Sequence, residues 1–196
     1  SLLNCELPAA VYDRLGPGQR VVEIIHGALA QAVPDQVTAA SNGACTSVQF
    51  IGAGTDGKFW GYVESIGGGS GARPNKDGLD GVHIHLTNTS NLPVEALEIE
   101  YPLTLLRYEL VDGSGGVGTH RGGMGLRRVY RADAECRLNY NLSRIDSSPW
   151  GLLGGGEGGR STAVVNAEEV ERIRAYMPAG ATVEIVTAGS GGYGPP

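Results

Sequence analysis

The chain has 196 residues, 41% of them hydrophobic, and a formal net charge of −6. A chain of this length buries roughly two thirds of its unfolded surface without disulfides, so a single domain over residues 1–196 with its own core is expected. The acidic balance and lack of any Lys/Arg cluster exclude sequence-independent nucleic-acid binding, and no run nears the roughly 18 apolar residues of a membrane span. Residues 1–11 carry neither a basic n-region nor an apolar h-region. Cys5, Cys45 and Cys136 are far apart and form no C-x-x-C pair, which argues against a zinc knuckle or a secreted disulfide framework and fits a reducing cytoplasm. Glycine, at 32 residues, has about twice its usual share of roughly 7% without a G-X-Y period, so the chain is turn-rich and globular.

In chain order, residues 21–33 place Val21, Ile25, Ala28 and Ala32 on one helical row and Val22, Leu29 and Val33 on a second, with Pro34 as the stop. Residues 47–51 and 59–66 are β-branched and aromatic runs flanking Asp56-Gly57, which predicts a hairpin. In residues 82–86, Val82, Ile84 and Leu86 alternate with His83 and His85 as in a half-buried strand. Residues 94–101 are readable as helix or as strand. Strands are predicted at 104–111 and 126–131 around the glycine loop 113–125, and at 135–144, with Ala132-Asp133-Ala134 turning a second hairpin. Further strands are expected at 161–166 and 182–187, separated by a short helix over 168–177, and residues 188–196 read as a loop or exit segment. The sum is a strand-rich α+β fold with antiparallel hairpins, one clear N-terminal helix and long glycine-rich loops, without the strand-helix alternation of a doubly wound sheet.

His83 and His85, two apart on a strand, would project from one face about 6.5–7 Å apart, a spacing that can place two imidazoles on one metal. A metal site needs further ligands. Asp77, Asp80 and His120 are the nearest in sequence, but no helical H-E-x-x-H accompanies them, so polar contacts in a pocket or interface are the expected role and no metal ligand is assigned. Arg73 ends the flexible run 67–72, where its guanidinium can grip a carboxylate or phosphate; the alternative is a solvated arginine on a tight turn. No G-x-x-x-x-G-K-[ST] motif occurs, so a phosphate-cradling P-loop is not indicated.

Asn88 and Asn91 offer donors and acceptors after the histidines, alongside the structural role that asparagines take in turns. Glu95 shares a face with Glu98 if residues 94–101 are helical; otherwise Glu98 pairs with Glu100. Seven glycines in residues 112–125 surround His120 and Arg121, where freed backbone N–H groups can form an anion nest or the loop can press closely on a partner. The serines near Trp150 have no G-x-S-x-G elbow and no evident histidine base.

Six pieces in this order resemble the hydantoinase B/oxoprolinase family: Gly68-Gly69-Ser70-Gly71-Ala72-Arg73-Pro74, Asp77-Gly78, HIHLTNTSNLPVEALEIEYP over 83–102, the run 114–123, Pro149-Trp150-Gly151-Leu152, and the terminal GSGGYG. Ala188, Ser190 and Pro195 stand where a Pro, a Gly and an Asp are usual. The resemblance spans the chain but corresponds to the C-terminal third of a family member. It implies part of a B-type subunit in a hetero-oligomer, working with a larger A-type ATP-binding partner and with the N-terminal part of the B-type subunit. The implied activity is ATP-dependent opening of cyclic amides such as hydantoins, 5-oxoproline or lactams. Relatives that carboxylate acetone or acetophenone provide an alternative, as does a non-catalytic scaffold. The resemblance puts ATP on the partner and a divalent metal in the N-terminal part, so no cofactor is expected on this chain. Arg73, His83, His85, Asn88, Asn91, Glu95 and Arg121 are then the candidates for lining a small-molecule pocket or the subunit seam.

Overall fold

The computed structural model describes residues 6, 8, 15–43, 45–54, 57–169 and 174–196. Helix α1 (Leu15–Leu29) is followed by a 3-10 turn at Pro34–Gln36, strands β1 (Thr46–Ala53) and β2 (Phe59–Ile66), and helix α2 (Val94–Glu100). Then come β3 (Leu103–Leu110), β4 (Leu126–Ala132), β5 (Cys136–Asn141), β6 (Thr162–Val165), β7 (Glu168–Glu169), β8 (Arg174–Met177) and β9 (Thr182–Val186). The strands form two antiparallel sheets, ordered β2-β1-β5-β8 and β3-β4-β9-β6-β7, so the expected α+β class holds.

Both sheets feed one hydrophobic core, because the period-two alternation of each strand turns its apolar residues the same way. Val48, Phe50, Tyr62, Leu138 and Met177 enter from the first sheet and Leu126, Tyr130, Val183 and Ile185 from the second, with Leu97 of α2 at one end. The Phe50 and Tyr130 rings meet across the two sheets with centroids 5.3 Å apart. The predicted first hairpin is present, with β1 and β2 in register from Thr46↔Ile66 to Ala53↔Phe59. Residues 94–100 resolve as helix, placing Glu95 and Glu98 on one face, and Glu98 Oε1 accepts from Leu105 N at 3.0 Å.

Four local expectations change. The helix starts well before residue 21, because its first turns are Gly16, Pro17, Gly18 and Gln19 and carry no apolar period; proline is tolerated there since its missing N–H lies in the first turn. The predicted hairpin at 132–134 is instead a crossing between sheets: β4 pairs with β3 and β9, whereas β5 pairs with β1 and β8. Asp133 holds that crossing through Thr104 Oγ1 at 2.6 Å and Arg131 Nε at 2.8 Å. The predicted helix at 168–177 is replaced by β7 and β8, with 170–173 outside the described residues; Arg174–Met177 pairs with β5 and buries Met177. Residues 82–86 do not form a strand.

The glycine-rich segments and the stretch 39–42 share one feature. Stretches 39–42, 67–72, 114–123, 149–159 and 188–194 bond to one another backbone to backbone, as in Gly69 N to Ala188 O (3.1 Å), Gly116 N to Ser190 O (2.8 Å), Gly191 N to Ala40 O (2.8 Å) and Gly192 N to Gly156 O (2.9 Å). Residues 188–194, expected as an exit loop, are buried at the centre of this bundle, and fully buried Ser190 donates to Ser70 O at 2.6 Å. Irregular backbone tolerates such burial only when its polar groups are paired, and here neighbouring loops pair them. A methyl group on Gly189 would run into the Ser114 carbonyl, and one on Gly122 into that of Ser190. The glycines of loop 113–125 other than Gly113 therefore make their close approaches to this chain itself.

Gly189→Ala should destabilise the protein by about 3 kcal/mol or more, since the obstructing atoms are backbone. Gly61→Ala, whose methyl would meet only Phe50 O at 3.9 Å, should stay within about 1 kcal/mol of wild type. Urea midpoints of the two variants check this, and equal midpoints would contradict the packing argument.

Candidate functional site

A cleft of about 840 Å³ opens where the loops 67–73 and 81–91 meet α1 and β3. Its walls bring together Arg73, His83, His85, Asn88 and Asn91 with His26 of α1, Ser41, Ser70 and Tyr108 of β3. Glu95 and Arg121 lie outside it.

The histidines reach the cleft from a turn, which corrects the two-apart strand geometry. Val82 makes a single bridge to Gly68, after which the Ile84 carbonyl is taken by Thr87 N at 3.2 Å and by Gln19 Nε2 at 2.9 Å. That capture bends the chain, and His85 sits at φ 51 in the left-handed region, an uncommon conformation for a residue with a side chain. Its backbone is open to solvent, but its side chain is only 12% exposed and points Nε2 at Glu23 Oε1, 2.7 Å away. Glu23, 5% exposed, also accepts from Ser41 N at 3.2 Å, and its Oε2 lies 3.4 Å from Arg144 Nη2. A carboxylate oxygen only accepts, so this pattern assigns a hydrogen to Nε2 of His85; in the neutral ring Nδ1 is then the acceptor. The His26 ring stands edge-on to His85, 5.6 Å between centroids, and its buried Nδ1 has no hydrogen-bond partner among the described residues.

His83 is held between two hydroxyls, Thr87 Oγ1 at 3.2 Å from Nδ1 and Thr89 Oγ1 at 3.1 Å from Nε2. Burial lowers its pKa below the ordinary imidazole value, with Glu64 pulling the other way. Asn91 is committed on both ends: Nδ2 donates to Ser65 O at 3.0 Å, and Oδ1 accepts from Tyr108 Oη at 3.1 Å. Asn88 is exposed at the rim, and the Arg73 guanidinium meets no carboxylate among the described residues.

Behind this wall lies a buried ionic cluster that joins the sheets. Arg128 of β4, 2% exposed, donates through Nη1 to Glu64 Oε2 of β2, and Tyr130 Oη donates to the same oxygen at 2.9 Å. The Arg128 guanidinium lies 4.0 Å from the Tyr108 ring centre, a cation–π contact. Glu64 Oε1 in turn accepts from Leu92 N at 3.3 Å, which fixes the 88–93 wall. Burial pushes the Tyr130 phenol above its ordinary range despite the opposing pull of Arg128.

The two remaining candidates have other placements. Glu95 is exposed on α2. Arg121 forks onto Asp80 at 2.7 and 2.8 Å while its N–H donates to Asp77 Oδ1 at 3.0 Å, so it ties loop 113–125 to the 77–80 turn in place of completing an anion nest. His120 faces Asp77 at 3.5 Å, away from the other histidines. Among the described residues no group of three His, Cys, Asp or Glu converges on a metal-binding arrangement. A second cleft of about 780 Å³ at the end of β1, β5 and β8 contains Cys136, whose thiol burial pushes up to about 11, unsuited to nucleophilic work at neutral pH. No helix among the described residues is long and apolar enough to cross a membrane.

Residues 1–196 match the profile of the Hydantoinase B/oxoprolinase family. The chain belongs to that family. An uncharacterized protein of Methanocaldococcus jannaschii is 42% identical over 202 residues, covering 100% of this chain and 35% of its own length. A B-type D-/L-hydantoinase subunit of a Pseudomonas species, so named provisionally, is 32% identical over 204 residues, covering 100% of this chain and 34% of its own. Among solved structures, the ATP-dependent caprolactamase of Pseudomonas jessenii superposes with a TM-score of 0.79 at 23% identity, over 97% of this chain and 36% of the other, a likeness of fold. This hydantoinase B/oxoprolinase chain thus spans about a third of the length of these two curated relatives.

Sequence reasoning missed the residues that hold the cleft groups in place: Gln19, Glu23, Arg144, Glu64 and Arg128. Gln19 and Glu23 carry a readable signal, since they lie one turn apart on a helix together with His26. Glu64 and Arg128 sit at inward positions of alternating strands, where a charged residue demands a buried counterpart.

His83 gives a pH test. Because its folded pKa is lowered, the unfolded chain binds the proton more readily, so this contribution to stability is complete above the ordinary imidazole value of about 6.5 and is lost as pH falls below it. Urea midpoints taken between pH about 7.5 and 5 should fall more steeply for wild type than for His83→Gln, and parallel profiles would show that the ring is not held neutral.

Proposed function

We propose that this chain is the C-terminal portion of a B-type subunit of an ATP-dependent cyclic amide hydrolase, and that the 840 Å³ cleft is one wall of its substrate pocket. The observation that carries this is the convergence of Arg73, His83, His85, Asn88 and Asn91 on one cleft in a chain of this family. The names of the relatives, a hydantoinase subunit and a caprolactamase, support a cyclic amide as substrate class.

In this reading nucleotide and metal belong to other polypeptide: ATP on an A-type partner supplies phosphoryl activation of the ring carbonyl, and a divalent metal lies in the remainder of the B-type subunit. The residues of this chain bind and orient. The Arg73 guanidinium at the rim holds an anionic group of the substrate by paired N–H bonds. His85 lines the cleft and is fixed by Glu23 through Nε2, so its neutral ring would offer Nδ1 as a proton acceptor, the arrangement in which a carboxylate sets the tautomer of an imidazole base. His83, held between hydroxyls and disfavoured as a cation, serves as a neutral polar contact.

The test uses the complete B-type subunit assembled with its A-type partner, with ATP turnover and ring opening as readouts. His85→Gln should lower kcat by about 10²–10⁴-fold, the range for loss of a positioned base. Arg73→Ala should act mainly on KM, by about tenfold, as loss of ground-state binding does. Glu95→Ala should leave both unchanged. Unaltered turnover in the first two variants with assembly intact would favour a scaffold, and a complex needing bicarbonate and a ketone while ignoring cyclic amides would overturn the hydrolase reading.

A further inference from the structure

Helix α1 is inside out. Its buried positions are Gly16, Gln19 and Glu23, whereas Ile24 is 67% exposed, Ile25 50%, Leu29 45% and Leu15 39%, with Ala28 exposed between them. The buried side is polar for reasons already seen: Gln19 holds the turn at Ile84 and Glu23 holds His85. Positions 24, 25, 28 and 29 then form one face at helical spacing. A surface helix ordinarily turns its apolar stripe to the core, and an exposed contiguous apolar patch marks an interaction site. The inner side is fully used, with Leu86 against Gly18 and Trp150 against Gly27, so the helix cannot roll to bury its isoleucines without abandoning the cleft.

We infer that the Ile24-Ile25-Ala28-Leu29 face of α1 is an internal interface that docks the additional polypeptide of the same B-type subunit. The inference rests on the reading that this chain is part of such a subunit. What singles out this occupant is length: the two relatives from Methanocaldococcus jannaschii and the Pseudomonas species carry roughly twice as much further chain, since the match covers 35% and 34% of them. The four positions of the face themselves carry no polar or charged side chain, as in the apolar core of a permanent interface. Because α1 carries Glu23 and His26 on its inner side, the docked polypeptide braces the helix that orients the cleft histidine.

The test is site-specific photo-crosslinking from a benzophenone side chain placed at position 24 or 25 of the complete subunit, with and without the A-type partner, and mass-spectrometric identification of the adducts. Adducts to peptides of the same subunit outside residues 1–196, formed without the partner, are expected. Adducts only to the A-type partner, only to a second copy, or only within residues 1–196 would overturn the inference. Thiol labelling of Ile25→Cys provides a less intrusive check. Its rate above the wild-type background should be about tenfold or more below that of Val117→Cys, which is 62% exposed at the native valine, because labelling then requires local opening. Equal rates would overturn the inference. Neither readout depends on turnover, so a wrong substrate class leaves it standing, and a wrong interface leaves the hydrolase assay unaffected.

Discussion

Close backbone-to-backbone approach among the glycine segments is the constraint on which the rest of this structure depends. A sheet satisfies its peptide groups through a regular ladder, but here five irregular stretches do so for one another, and they can come near enough only where no Cβ intervenes. The cleft inherits its shape from this bundle. Gly71 N donates to Ser41 Oγ at 3.0 Å and Asn42 N to Gly69 O at 2.8 Å, so the 67–73 wall and the segment that carries Ser41 toward Glu23 are set by the same contacts that bury Ser190. Glycine abundance, which in isolation suggests looseness, is here the means of rigidity.

Two buried carboxylates then convert that frame into a site. Glu23 links α1, the Ser41 backbone, Arg144 and His85; Glu64 links β2, β4 and the Leu92 backbone. Burying charge is costly, and removing one member of a buried pair typically costs about 3–5 kcal/mol because the other is left uncompensated. Such clusters add little to net stability but fix geometry, and both of these end on the walls that carry the polar groups of the cleft. Arg144 and His85 also sit at positive φ, 65 and 51, so the backbone on each side of Glu23 is held away from its relaxed conformation. Strain retained at a polar cluster is the pattern of functional sites.

How far the sequence could be read depended on whether the deciding interaction was local. Runs of β-branched and aromatic residues disclosed β1 and β2, since a strand's own composition encodes its preference. Alternation misled at His83 and His85, where Gln19, far away in the sequence, captures the Ile84 carbonyl and turns the chain. Helical spacing in 168–177 was overridden by pairing of Arg174–Met177 with β5, again a non-local partner. The motif residues Arg73, His83, His85, Asn88 and Asn91 did mark one cleft, while Glu95 and Arg121 are near them only in sequence. Glu23 and Arg144, separated by more than half the chain, have no common local pattern at all.

Residues 188–194 come later in the chain than every segment they bind, yet they occupy the middle of the glycine bundle. The loop groups that pair with this stretch, such as Gly69 N and Gly116 N, therefore have no partner until it has been made. Long-range closure of that kind is slow and leaves polar backbone and apolar surface open in the meantime. Without residues 188–194 the N–H groups of Gly69 and Gly116 and the carbonyl of Ala40 lose their partners in the bundle.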